Sequence, residues 1–146
     1  MENMTILLVE DNPDDELLAL RALKKSSIPS EVVVARDGVE ALDYVFGRGQ
    51  YQGRDLSLQP KVVLLDLKLP KLDGLEVLRC IRKDDRTRRV PVVLITSSDE
   101  KQDMLDCYES GANSYLNKPV DFDEFVDQIK LLGQYWLGMN QVPALY

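Results

Sequence analysis

The sequence has 146 residues, 45% of them hydrophobic, which suits one well-packed domain and is too short for two of ordinary size. Its net charge of −7 opposes attraction to nucleic-acid phosphates and anionic lipid, so direct binding to nucleic acid or a membrane surface is not expected. Histidine is absent, which excludes histidine-based acid–base catalysis, histidine metal ligands and a phosphohistidine on this chain.

Membrane insertion and disulfide formation are not expected either. No apolar run approaches the roughly 20 residues that span a bilayer, and the N-terminus lacks the sections of a signal peptide. Cys80 and Cys107 form neither a CxxC pair nor a metal-binding pattern, so we interpret both as reduced structural thiols. We therefore expect a cytoplasmic protein.

Strand-like and helix-like segments alternate along the chain. Strands are predicted at 5–9, 32–35, 61–66, 90–95 and 114–117, and helices at about 13–26, 38–47, 74–84, 99–110 and 122–137. Most of the strands are nearly all apolar, which is typical of parallel strands covered by helices on both faces. The pattern predicts an α/β, doubly wound (βα)5 fold.

Capping residues mark the predicted helix starts. Asn12 is the expected cap of the first helix, with Pro13 as its first residue. Three acids that follow are interpreted as complementing the positive end of the helix dipole, namely Asp14, Asp15 and Glu16. The other helices pair a cap with a glutamate three positions later: Asp37 with Glu40, Asp73 with Glu76, Ser97 with Glu100, and Asp121 with Glu124.

The connection at about 47–60 is longer than is usual between such elements, and we interpret it as an insertion. Its glycines, Gly47, Gly49 and Gly53, raise the alternative of a dinucleotide-binding loop. Their spacing fails the GxGxxG pattern at Gln52, and the segment follows a helix instead of a strand. A surface loop or a partner-contact loop is the preferred interpretation.

Polar side chains stand where four of the strands end. Glu10 and Asp11 follow the first strand, Asp66 ends the third, Thr96 follows the fourth, and Lys118 follows the fifth. If these strands are parallel neighbours, their carboxyl ends meet along one sheet edge, where open α/β folds place their chemistry. The sequence therefore predicts one pocket that holds carboxylates, a hydroxyl and an ammonium.

These residue types suit phosphoryl transfer to a carboxylate. Asp66 could attack phosphorus and form an acyl phosphate, provided that the charge on the transferred group is neutralised. Glu10 and Asp11 add hard oxygen ligands, which favour Mg²⁺ or Mn²⁺. Thr96 and Lys118 offer a hydroxyl donor and a positive charge to phosphoryl oxygens.

Several motifs together resemble the receiver domain of two-component response regulators, over about residues 4 to 132. The matching pieces are Val9-Glu10-Asp11-Asn12, Leu65-Asp66-Leu67-Lys68-Leu69-Pro70, Asp73-Gly74, Ile95-Thr96-Ser97, Gly111-Ala112 and Lys118-Pro119. The resemblance implies a flavodoxin-like receiver fold with parallel sheet order 2-1-3-4-5. It also implies that Asp66 accepts a phosphoryl group from the histidine of a sensor kinase.

The resemblance further assigns a role to each site residue. Asp11, Asp66 and the backbone carbonyl of Lys68 would bind Mg²⁺, for which Mn²⁺ could substitute, and Glu10 would act through water. Thr96 and Lys118 would hold the phosphoryl group, and the Lys118–Pro119 bond is expected to be cis. Thr96 and Tyr115 would form the conformational switch, although Tyr115 could also be a simple core tyrosine.

A narrower likeness connects the chain to the small response regulators of bacterial and cyanobacterial phytochromes. It is carried by Tyr44-Val45-Phe46-Gly47, the insertion with Tyr51 and Arg54, Ser97-Ser98-Asp99-Glu100, Gly111-Ala112-Asn113 and Tyr135-Trp136-Leu137. This likeness makes a phytochrome a candidate for the kinase partner. The chain departs from many receivers in having Lys68 and Ser98 beside the phosphoryl group, which leaves the lifetime of the acyl phosphate open.

We expect a receiver domain at 1–138 and a C-terminal tail at 139–146. The end of the chain is rich in apolar residues, namely Tyr135, Trp136, Leu137, Met139, Val142, Leu145 and Tyr146. It favours a homodimer interface or a contact with a downstream protein or phosphotransfer partner, against the alternative that it folds back on its own domain. The expected function is a phosphorylation-dependent signalling switch that catalyses its own phosphorylation and dephosphorylation, and not a turnover enzyme. The alternatives are an interaction module that works without phosphorylation and a small metal-dependent phosphotransferase or phosphatase.

Overall fold

One parallel sheet organises residues 4–143, the part of the chain that the computed structural model describes. Its strands are β1 (Thr5–Val9), β2 (Glu31–Ala35), β3 (Val62–Leu65), β4 (Val92–Thr96) and β5 (Ser114–Asn117). The helices are α1 (Pro13–Lys24), α2 (Gly38–Phe46), α3 (Gly74–Lys83), α4 (Lys101–Glu109) and α5 (Phe122–Gly138). The sheet order is β2-β1-β3-β4-β5, which confirms the expected (βα)5 fold and strand order.

The core lies in two layers, one on each face of the sheet. Alternate residues of β1 point to opposite faces: Leu7 packs in a cluster with residues of α2 and α3, whereas Ile6 packs with residues of α1 and α5. Both side chains are fully buried. Burial on both faces explains why the strands are apolar throughout instead of alternating.

Four of the five predicted helix caps are confirmed. The carboxylates of Asp37, Asp73 and Asp121 each accept the backbone N–H of the glutamate three positions later, at 2.7, 3.1 and 3.0 Å. Asn12 likewise caps α1, and its side-chain oxygen accepts the backbone N–H groups of Asp14 and Asp15.

The predicted start of the fourth helix is wrong. Ser97 is not its cap, because α4 begins at Lys101 with Glu100 in the cap position. The Ser98 hydroxyl instead donates to Asp103 at 2.6 Å and accepts the Glu100 N–H at 3.3 Å. The Ser98 carbonyl also accepts from Asn117 at 2.6 Å, and these bonds keep the segment before α4 out of the helix.

The insertion is an ordered segment built around Arg54. A short 3-10 helix covers Gly49–Tyr51. The Arg54 guanidinium donates to the carbonyls of Tyr44 and Leu58, both at 2.7 Å, and lies 4.0 Å from the centre of the Tyr44 ring. Arg54 therefore ties the insertion to the end of α2.

The expected cis bond at Lys118–Pro119 is wrong, since every peptide bond in residues 4–143 is trans. The trans isomer is favoured by about 0.5–1 kcal/mol for an X–Pro bond. The Lys118 N–H, which precedes this bond, continues the β ladder by donating to the Thr96 carbonyl at 2.8 Å.

The end of α5 packs partly on its own domain. Trp136 and Leu137 were expected at an interface, but they are buried in the core of their own domain. The Lys61 ammonium donates to the Leu137 carbonyl at 3.0 Å. Met139, just past the helix, is 72% exposed, while Leu145 and Tyr146 lie outside the described residues. The domain boundary at residue 138 and the interface role of the tail stay predictions. Within residues 4–143, helices fall short of the length and apolar character that a membrane span requires.

Candidate functional site

Two neighbouring strands bring the first acids together. β1 and β3 pair in parallel with Val9 opposite Leu65, so Glu10 and Asp66 are the next residues on each strand. Their backbones stay on the ladder: the Asp66 N–H donates to the Val9 carbonyl at 3.1 Å, and the Glu10 N–H to the Ala35 carbonyl at 2.9 Å. The predicted meeting of these side chains at the carboxyl edge of the sheet is therefore seen in the structure.

Glu10, Asp11 and Asp66 form a compact group of acids. One carboxylate oxygen from each lies within 4.8 Å of the other two. Glu10 and Asp66 are buried, at 4% and 8% exposure, while Asp11 is exposed at the mouth. A set of three oxygen donors without nitrogen or sulfur suits a hard divalent cation such as Mg²⁺ or Mn²⁺.

The Lys118 ammonium balances part of this negative charge. Its Nζ lies 2.8 Å from a Glu10 oxygen, 3.0 Å from an Asp66 oxygen and 3.0 Å from an Asp15 oxygen. Lys118 follows β5, so its side chain reaches past the end of β4 to arrive at Asp66. The Lys118 ammonium is thus in direct contact with the carboxylate of Asp66, the predicted nucleophile.

Burial and charge shift the pKa values of two of these groups. Desolvation raises the pKa of Glu10 to about 7, even though the hydrogen bond from Lys118 acts in the opposite direction. Burial alone would lower the pKa of Lys118, but its hydrogen bond to Glu10 and the charge of Asp66 outweigh burial and raise it. The pocket therefore favours the charged form of Lys118 and disfavours the charged form of Glu10.

Asp15 is the site residue that sequence reasoning missed. It was interpreted as a helix-start acid, yet its carboxylate contacts Lys118, a residue 103 positions away. The one available signal was that Asp15 lies four positions after Asp11. That spacing does not show which of the acids at the helix start faces the site.

Thr96 ends β4 and Lys68 follows β3, so both lie at the same edge of the sheet. The buried Thr96 hydroxyl accepts the Ser98 N–H at 3.1 Å. The Lys68 backbone N–H donates to Asp66 at 3.3 Å, and its side-chain ammonium lies 3.5 Å from Asp103 at the start of α4. In this structure the Lys68 side chain thus pairs with α4 and not with Asp66.

Tyr115 lies between the core and the loop before α4. Its ring is half-buried against the core on the α2 and α3 side of the sheet, and its hydroxyl donates weakly to the Ser98 carbonyl at 3.5 Å. Ser98 therefore contacts both predicted switch residues, the hydroxyl of Thr96 and the hydroxyl of Tyr115.

Gly74 allows α3 to begin directly against the backbone of Asp66. A Cβ at this position would overlap the Asp66 carbonyl oxygen and lie 2.8 Å from the Leu67 Cα. The Gly74 N–H donates to the Leu67 carbonyl at 2.8 Å. The absence of a side chain lets the turn after β3 close tightly against the helix start.

Comparison with known sequences agrees with this geometry. The family model of the response regulator receiver domain matches residues 6–130. The chain is 41% identical over 139 residues to the probable methanogenesis regulatory protein FilR2 of Methanothrix harundinacea, covering 95% of this chain and 87% of that protein. It is 37% identical over 139 residues to the response regulator Rcp1 of Synechocystis, covering 95% and 92%.

Comparison with solved structures extends the likeness over nearly the whole fold. The crystal structure of the phosphorylated cyanobacterial phytochrome response regulator RcpA matches with a TM-score of 0.90 and 37% identity, covering 97% of this chain and 99% of that one. The Mn²⁺-bound form of Rcp1 matches with a TM-score of 0.89 and 35% identity, covering 97% and 99%. This chain is a member of the response regulator receiver domain family of two-component systems.

Proposed function

We propose that this protein is a phosphorylation-dependent switch that accepts a phosphoryl group on Asp66 from the histidine of a sensor kinase. The observation that carries the proposal is the contact of the Asp66 carboxylate with Lys118 beside a group of acids suited to a divalent cation. Because this chain has no histidine, the phosphohistidine must come from a partner.

Asp66 is the nucleophile in this proposal. One carboxylate oxygen forms the new O–P bond, while the P–N bond of the phosphohistidine breaks and the imidazole nitrogen leaves with the electron pair. Asp11, Asp66 and the Lys68 carbonyl would hold Mg²⁺ or Mn²⁺, with Glu10 acting through water. When bound, the ion supplies positive charge that offsets the negative charge of the phosphoryl oxygens.

Lys118 and Thr96 hold the phosphoryl oxygens in the product. The Lys118 ammonium already donates one N–H to Asp66, and the same N–H can donate to a phosphoryl oxygen instead. The Thr96 hydroxyl accepts the Ser98 N–H, so a shift of this hydroxyl toward the phosphoryl group would lengthen that bond. We propose that this loosens the loop before α4 and lets the Tyr115 ring turn inward, which biases a two-state surface.

Intact-mass measurement with a small acyl-phosphate donor tests this function. We expect one added phosphoryl group, dependent on Mg²⁺ and lost in Asp66→Asn. The absence of an adduct and of donor consumption would contradict the switch and favour an interaction module. Steady donor consumption without an adduct at any time, including after rapid acid quenching, would instead point to a turnover enzyme.

We further propose a phytochrome as the kinase partner and protein contact as the output. The likeness to Rcp1 and to the phytochrome response regulator RcpA supports the first part. The net charge of −7 supports an output that does not use nucleic acid or a membrane directly. Free Cys80 and Cys107 are in keeping with a reducing cytoplasm.

The output surface that we propose is a homodimer contact along α5. Leu131, Tyr135 and Met139 follow one another at helical spacing and are 64%, 44% and 72% exposed. An exposed apolar stripe of this kind marks an interaction site. Leu131→Glu should lower the solution mass measured by sedimentation, whereas Leu17→Glu, at a site 59% exposed on α1, should not. A wild-type protein that is monomeric with and without phosphorylation would contradict the dimer.

A further inference from the structure

We infer that Asp15 is a positioning residue that aims the Lys118 ammonium at the phosphoryl group, an inference that rests on the proposed function. Asp15 belongs to the first turn of α1 and lies 3.0 Å from Lys118 Nζ. It is separate from the trio of acids whose oxygens could hold a cation. Its contact with Lys118 therefore calls for a different role from that of Asp11.

The geometry around Lys118 suggests what that role is. An ammonium has three N–H donors, and three carboxylates surround this one, at 2.8 Å for Glu10 and 3.0 Å for both Asp15 and Asp66. Once Asp66 carries the phosphoryl group, Glu10 and Asp15 still occupy two donors. The third donor is then left for a phosphoryl oxygen.

Two anchors are needed because a lysine side chain is flexible. Fixing its many rotamers costs entropy, and a single contact leaves the ammonium able to swing around that contact. Glu10 comes from the end of β1 and Asp15 from α1, and α1 packs against α5. Anchors on two fixed elements define where the ammonium sits before the phosphoryl group arrives.

Asp14 provides a matched control on the same helix turn. It is exposed, carries the same charge at nearly the same distance from the helix end, and contributes no side-chain bond to Lys118. Asp14→Ala and Asp15→Ala therefore remove equal charge and equal dipole compensation, whereas the contact with Lys118 is lost only in the second.

Phosphorylation rates from a small acyl phosphate at saturating Mg²⁺ form the first test. We expect Asp15→Ala to slow the reaction about tenfold, less than the 10²–10³ typical of removing a donor outright, and Asp14→Ala to change it less than about twofold. In the Lys118→Ala background, Asp15→Ala should add less than about twofold. Equal slowing in both backgrounds, or none in either, would overturn the inference.

Labelling of Lys118 in metal-free protein gives a readout that does not depend on phosphoryl transfer. Acylation by an amine-reactive ester, followed by mass spectrometry, should be several-fold faster at Lys118 in Asp15→Ala than in wild type or Asp14→Ala, with the exposed Lys101 as the internal reference. Unchanged labelling would overturn the inference. If wild type takes up no phosphoryl group, the proposed function fails, and the labelling alone decides whether Asp15 positions Lys118.

Discussion

Glu10 is a buried acid whose protonation is coupled to folding, and Glu10→Gln should expose this coupling. Desolvation raises the pKa of Glu10 to about 7, so between pH 4.5 and 7 the folded protein binds a proton that the unfolded chain releases. The stability from this group is complete below pH 4.5 and is lost as pH rises through 7. At pH 8 and without metal, the free energy of unfolding of Glu10→Gln should exceed that of wild type by on the order of 1–2 kcal/mol. This figure allows for the cost of orienting the new amide so that its oxygen still accepts the Asn12 N–H.

Urea unfolding in EDTA at pH 5 and pH 8 measures this difference. The advantage of Glu10→Gln should shrink or vanish at pH 5, where Glu10 of the wild type is protonated. Glu109→Gln, at an exposed position on α4, is the control and should show no such pH dependence. A Glu10→Gln variant that is less stable than wild type at pH 8 would mean that the Lys118 pairing outweighs desolvation.

Gly74→Ala should disturb both the stability of the domain and the backbone at Asp66. The new Cβ would overlap the Asp66 carbonyl, so either α3 or the turn after β3 must shift. We expect a loss of about 1–3 kcal/mol in the free energy of unfolding, which exceeds the gain in helix propensity. Denaturant unfolding and the Asp66 amide chemical shift would show the change, and an unchanged midpoint with an unchanged shift would refute it.

The site residues differ in how far the sequence alone could predict them. Glu10, Asp66 and Lys118 were predictable as neighbours because strand ends in a parallel sheet meet at one edge. Asp15 was not, because helix-start acids usually serve the dipole and only the reach of Lys118 separates Asp15 from Asp14. The partner of the Lys68 side chain also depends on where α4 begins, which local pattern does not determine.

At the scale of elements, the sheet was predictable and the connections were less so. Apolar runs place the strands within one or two residues of their positions in the structure. The start of α4 was predicted too early, because Ser97 and Ser98 are both good capping residues. In the structure, Ser98 instead bonds to Asp103 and Asn117, and the helix begins only at Lys101. The glycine pattern of the insertion did not predict that Arg54 anchors this segment.

Arg54→Ala should therefore loosen the insertion as a unit. It removes two charge-assisted hydrogen bonds at 2.7 Å and the stacking on Tyr44, so we expect a loss of about 2 kcal/mol in stability and faster proteolysis within residues 47–60. Arg48→Ala is the control, since its pairing with Asp43 at 3.8 Å is exposed and weak. Equal effects of the two substitutions would show that Arg54 is not the anchor.

At the scale of the whole molecule, a cation bound at one sheet edge should stabilise the entire domain. The acids belong to segments that follow β1 and β3, which lie at the centre of the sheet and pack into both core layers. Cation binding at this one site should thus raise the free energy of unfolding of the whole domain. With Mg²⁺ at about 100 times its Kd, linkage adds about 2.7 kcal/mol, which corresponds to a rise in Tm of about 5–10 °C.

Calorimetry across a Mg²⁺ titration checks this prediction, with two variants that separate binding from general charge screening. Asp11→Asn removes an oxygen of the acid group and should abolish most of the rise in Tm, because the remaining carboxylates, Glu10 and Asp66, already share Lys118. Asp14→Asn removes the same charge outside that group and should leave the rise intact. A similar rise in both variants, or one reproduced by NaCl of equal ionic strength, would mean that Mg²⁺ only screens the net charge of −7 and that the acids at the sheet edge do not form a cation site.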